Sequence, residues 1–95
     1  MLFHATITVR MPHDVDPEKI KQLGAREHER AAELQRQGKW RHLWRVVGKW
    51  TNVSIFDVQS PAELHAILES LPLYPYMDIE VTALCRHPGS IAESD

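Results

Sequence analysis

The chain has 95 residues, enough for one domain, and a domain of this size removes only a little over about 60% of its unfolded surface from water. Eleven Lys and Arg against 13 Asp and Glu give a net charge of −2, with no basic run that would mark a nucleic-acid surface. A lone Cys85 excludes an internal disulfide framework and fits a reducing compartment. Met1–His4 lacks the charged and apolar regions of a signal peptide, and no apolar run approaches the roughly 20 residues of a membrane span. The expectation is a cytoplasmic protein made of a single domain over residues 1–95. Its small core leaves limited room for a closed pocket, so an enzyme of this size is expected to borrow walls from a neighbouring subunit.

Leu2 to Arg10 alternates, with Phe3, Ala5, Ile7 and Val9 on one face, and predicts a half-buried strand. Asp16-Pro17 reads as an N-cap followed by Pro in the first helical position, opening a helix that runs to about Gln37 and stops at Gly38. Trp40 to Val47 is rich in aromatic and branched residues and predicts a second strand. Gly48 to Asn52 is a turn, and Val53 to Val58 a third strand, giving a hairpin. Ser60-Pro61-Ala62-Glu63 is a capping box that opens a second helix, with Leu64, Ile67, Leu68 and Leu71 at helical spacing. Tyr76 to Cys85 alternates as a fourth strand, and the tail from His87 has no periodicity.

The order is β-α-β-β-α-β. Its compact solution is a four-stranded antiparallel sheet with both helices on one face, the ferredoxin-like arrangement of the α+β class. The other sheet face, expected to include His42, Trp44 and Phe56 or their neighbours, then lacks cover from its own chain. An oligomer follows as an expectation.

On a helical wheel at about 100° per residue, Ile20, Leu23, Gly24, Ala31 and Leu34 form the packing stripe of the first helix. Glu27 falls inside it, between Leu34 and Ile20. Burial there would raise its pKa above about 4.3 and make it a base able to take a proton from carbon near neutral pH. Two structural readings stand beside that one: a rotated helix, or a carboxylate paired with an Arg or a subunit interface. Gly24, one turn earlier on the same face, leaves space beside the acid. His28, at the flank, reads either as a proton shuttle or oxyanion donor or as a solvated helix residue.

Arg41, His42 and Arg45 lie within the densest cationic and aromatic cluster, Trp40 to Arg45. Strict alternation puts Arg41, Leu43 and Arg45 on one face and Trp40, His42 and Trp44 on the other. The forked guanidinium suits a carboxylate ligand, while an inter-subunit salt bridge to Asp57, Asp78 or Glu80 is the structural alternative. No metal-ligand spacing, phosphate loop or nucleophile elbow is present, so neither metal nor cofactor is expected.

Long strings of the chain resemble the muconolactone isomerase family: Met1–His4, Trp40–Arg45, Phe56–Val58, Leu71–Val81 and Leu84–Pro88. The resemblance runs without a gap from the first residue almost to the last. It implies a ferredoxin-like subunit in a homo-oligomer, a decamer, acting without cofactor on a small lactone in the catechol branch of the β-ketoadipate pathway. It also implies that Glu27 is the base and His28 the shuttle or oxyanion donor. Arg41 or Arg45, with His42 and Asn52, would bind the substrate carboxylate and lactone. The family pattern has Lys after the glutamate, where this chain has His28, and a smaller aromatic or His where it has Trp50. A 5-chloromuconolactone dehalogenase is the nearest alternative. A non-catalytic ligand-binding module and an oxygen-consuming monooxygenase of similar shape are the others.

Overall fold

In the computed structural model, which describes residues 1–95, the alternation of Leu2–Val9 folds as β1, with Phe3, Ala5 and Ile7 buried. The remaining strands are β2 (Trp40–Arg45), β3 (Thr51–Asp57) and β4 (Met77–Leu84), and the helices are α1 (Pro17–Arg36) and α2 (Pro61–Glu69). All neighbouring strands are antiparallel in the order β2-β3-β1-β4, the ferredoxin-like arrangement. No helix is long and apolar enough to cross a membrane.

Both helices start and stop where local chemistry tells them to. Asp16 Oδ1 accepts from the Glu18 N–H at 3.1 Å and Ser60 Oγ from the Glu63 N–H at 3.1 Å, each followed by Pro in the first turn. α1 ends in a Schellman arrangement. Gly38 takes φ 76°, its N–H bonds Gln35 O, and the Lys39 N–H bonds Leu34 O. The second half of the capping box does not form, because the Glu63 carboxylate lies 3.8 Å from Lys39 instead.

The register fixes what faces the helices. Phe3 sits opposite Phe56, Ala5 opposite Ser54 and Ile7 opposite Asn52, so Asn52, Ser54 and Phe56 share the helix-facing side of β3. Phe56 is therefore core, fully buried, and not part of the open face as strict strand boundaries suggested. β2 carries a second departure. A bulge between Trp40 and His42 breaks the alternation, so Trp40 joins Leu43 and Arg45 on the helix side, while His42 and Trp44 face away. Trp40 is 3% exposed and stacks at a tilt on Phe56, ring centroids 4.8 Å apart. β2 stops at Arg45 and β3 begins at Thr51, so the predicted turn surrenders Thr51 and Asn52 to the sheet.

The core joins these strands to Ala31 and Leu34 of α1 and Leu64, Ile67 and Leu68 of α2. Only 14 of 95 residues are buried in the single subunit. The opposite sheet face is bare, with Trp44 65% exposed. The tail beyond β4 carries no helix or strand, and its Ile91 is fully exposed.

Candidate active site

The packing stripe of α1 divides along its length. Leu23, Ala31 and Leu34 are buried, whereas Ile20, Gly24 and Glu27 are half-buried along a groove of about 850 Å³. The groove runs between α1 and the β2–β3 hairpin, which contribute His28 and Trp40, Leu43, Arg45, Trp50 and Asn52. Leu73, from the segment after α2, closes one side. Its walls are mainly apolar and its polar groups few, the usual make-up of a small-molecule site.

Glu27 is held as well as buried. Its Oε1 accepts the Leu73 backbone N–H at 2.9 Å, leaving Oε2 without a protein partner. The donor is a consequence of chain geometry. Pro72 has no N–H, and the amides of Leu71, Tyr74 and Tyr76 all close local turns. The Leu73 amide bonds the carboxylate instead. Burial raises the Glu27 pKa, opposed by the weaker, lowering effect of the Leu73 hydrogen bond. The result is a carboxylate fixed by one oxygen and destabilised as an anion, which favours proton uptake at the other.

Around this carboxylate stand three further side chains expected from the sequence. His28 is exposed at the rim. Arg45 projects beside the Trp50 ring, its guanidinium carbon 5.0 Å from the ring centroid, and donates to Lys49 O at 3.1 Å. Asn52 lies opposite Arg45 in the β2–β3 register. Its Oδ1 accepts from the Ser54 hydroxyl at 2.6 Å.

Arg41 and His42 do not join them in this subunit. The bulge that brings Trp40 inward takes Arg41 out of the alternation, and its guanidinium sits 3.5 Å from Asp57 of the same subunit, an ion pair within the chain and not the one expected between subunits. His42 stacks on Trp44 on the bare face, ring centroids 6.4 Å apart and planes 9° apart. Trp40, Leu43 and Leu73 are wall residues that the sequence concealed. Trp40 depended on the bulge, Leu43 shares the face of Arg45 by plain alternation but carries no polar group to mark it, and Leu73 acts through its backbone. No group of three or more His, Cys, Asp or Glu is placed to hold a metal ion.

Gly24 tests the shape of the groove. A Cβ there meets nothing within 4 Å, because the position opens onto the groove. Gly24→Ala recovers about 1 kcal/mol of helix propensity, which raises the melting temperature by roughly 4–8 °C for a domain of this size. The added methyl narrows the space next to Glu27, so KM rises several-fold. Thermal melts and steady-state kinetics on one preparation check both signs.

The chain is similar to known proteins along its whole length. The family model described as muconolactone delta-isomerase matches residues 1–90. A muconolactone Delta-isomerase of Pseudomonas putida is 56% identical over 95 residues, spanning 100% of this chain and 99% of the relative. One from Pseudomonas aeruginosa is 54% identical over the same spans. A crystal structure of muconolactone isomerase superimposes with a TM-score of 0.94 at 58% identity, covering 100% of this chain and 99% of that one.

Proposed function

Because the chain belongs to the muconolactone delta-isomerase family, we propose that it converts muconolactone to the 3-oxoadipate enol-lactone in the catechol branch of the β-ketoadipate pathway. The observation that carries the mechanism is Glu27, half-buried in the groove with Oε1 tied to Leu73 and Oε2 free. The ring double bond of muconolactone is conjugated with the lactone carbonyl, and the ring carbon bearing the carboxymethyl arm carries a hydrogen. Oε2 takes that proton. The C–H electron pair moves into the ring, the double bond shifts, and the carbonyl oxygen becomes the oxygen of a furan-like dienolate. The same carboxylic acid then returns the proton to the carbon beside the carbonyl, so nothing is gained or lost overall.

Arg45 binds the carboxylate arm, and Asn52 and His28 are the donors for the developing oxyanion. Arg41 and His42 take no part within one subunit. The relatives support the isomerase over the dehalogenase reading, and a non-catalytic module has no use for a destabilised carboxylate in its groove. The same reading makes the protein a single-domain cytoplasmic homo-oligomer, ten subunits by family resemblance, with the bare sheet face around Trp44 as an area for neighbours to cover.

Turnover decides the substrate. Ultraviolet absorbance of the conjugated lactone should fall on adding enzyme, without added cofactor. Replacing the transferred hydrogen by deuterium should slow the reaction several-fold. Failure to consume muconolactone, or chloride release from the 5-chloro lactone as the faster reaction, would overturn the reading.

A further inference from the structure

Ser54 is the one polar residue among the buried set, with no exposed surface, at a position whose neighbours across the sheet are Ala5 and Leu43. An apolar residue would satisfy the packing there. The hydroxyl instead donates to Asn52 Oδ1 at 2.6 Å, two residues along the same face of β3. A carboxamide has two ends of opposite character, an acceptor oxygen and a donor NH2, and a half-turn about its last bond exchanges them. The hydroxyl could also accept from the NH2, but Ser54 is fully buried and makes no other side-chain hydrogen bond, so its proton goes to Oδ1 and the NH2 is the end left for the groove that Asn52 lines.

We propose that Ser54 is a positioning residue, fixing the Asn52 carboxamide with its NH2 directed at the substrate oxygen that becomes the enolate. This rests on the isomerase reading above and adds to it what sets the polarity of the oxyanion donor. The position of Asn52 suits the role. It faces Arg45 across the β2–β3 pair, where Cβ atoms stand about 4.5–5.5 Å apart, so the two side chains reach neighbouring parts of one small ligand. Arg45 takes the carboxylate arm and Asn52 the lactone carbonyl. A donor oriented before the charge develops needs no reorganisation during the reaction, whereas a flipped carboxamide presents an acceptor and repels the enolate.

The effect should appear in kcat more than in KM, because the hydrogen bond strengthens as the carbonyl oxygen gains charge. Ser54→Ala is expected to lower kcat about 10-fold with KM changed less than about twofold, and Ser54→Cys, a weaker donor of similar volume, to fall between. Asn52→Ala is expected to lower kcat by about 10²-fold. The double variant Ser54→Ala/Asn52→Ala should match Asn52→Ala alone, since Ser54 has nothing left to orient. A structural role for Ser54 would instead lower the melting temperature and leave kcat per folded enzyme unchanged, or give losses that multiply in the double variant. Either result overturns the proposal. Neutron or atomic-resolution crystal structures of wild type and Ser54→Ala, which tell the carboxamide oxygen from its NH2, separate this from the reaction itself. Should wild type fail to turn over muconolactone, the isomerase reading falls, while an Asn52 carboxamide that keeps one orientation without the hydroxyl overturns the positioning role.

Discussion

Glu27→Gln is expected to lower kcat on muconolactone by about 10²–10⁴-fold, the range of a positioned general base, while the protein keeps its fold. The carboxamide retains an oxygen for the Leu73 N–H, so the tether between α1 and the segment after α2 survives. What disappears is the ability of the second oxygen to carry a proton. In the wild type, kcat/KM should rise with pH as Glu27 ionises, with a midpoint above the ordinary glutamate range because burial outweighs the Leu73 hydrogen bond. That limb should be absent from the residual activity of the variant.

Stability carries the same signature with the opposite sign. Glu27 has a raised pKa in the folded state, so folding favours its protonated form. The corresponding stabilisation is complete below the unfolded-state pKa and is lost as pH rises through the folded-state value. Glu27→Gln never ionises. Its melting temperature relative to wild type should therefore climb with pH across that window, leaving the inactive variant the more stable protein at neutral pH. Stability traded against activity at one side chain is the expected mark of a catalytic carboxylate.

Arg45→Ala should cost about 10- to 150-fold in kcat/KM, the equivalent of the roughly 1.5–3 kcal/mol of a charged hydrogen bond. Most of the loss should fall on KM, since the carboxylate arm stays charged throughout the reaction and is bound equally in ground and transition states. Arg45→Lys keeps the charge without the fork or the flat face against Trp50 and should recover only part of the loss. Arg45 is exposed, so wild-type KM should rise with ionic strength and the Ala variant should lose that dependence. Kinetics at two salt concentrations check this. An Arg41→Ala variant with the larger KM effect would move the carboxylate site to the other side of the sheet.

The elements were legible because local signals agreed with the tertiary structure: alternation in Leu2–Val9, the Asp16-Pro17 and Ser60-Pro61 helix starts, and Gly38 at the end of α1. Glu27 was legible for a related reason. A carboxylate inside an apolar stripe contradicts the packing pattern, and such local contradictions gather at functional sites. The face of β2 was not legible, because alternation assumes an unbroken register and the bulge at Arg41 inserts one residue. That shift turned Trp40 inward and took Arg41 off the groove side, whereas His42 lies on the face away from Arg45 with or without it. The Leu73 tether was hidden for a different reason, since a backbone N–H has no side-chain identity to read. Ser54 left a faint trace. Once Phe56 is placed in the core, period two puts Ser54 and Asn52 on the same side, and a serine there needs a partner.

A crystal structure of the inactive Glu27→Gln variant soaked with muconolactone tests the location and the chemistry together. The lactone should lie in the groove between α1 and the β2–β3 hairpin. The ring carbon carrying the arm should be about 3–3.5 Å from the free end of the side chain at position 27, with the arm carboxylate on Arg45. A lactone bound on the opposite sheet face against Arg41 and His42, with the groove empty, would contradict Glu27 as the base.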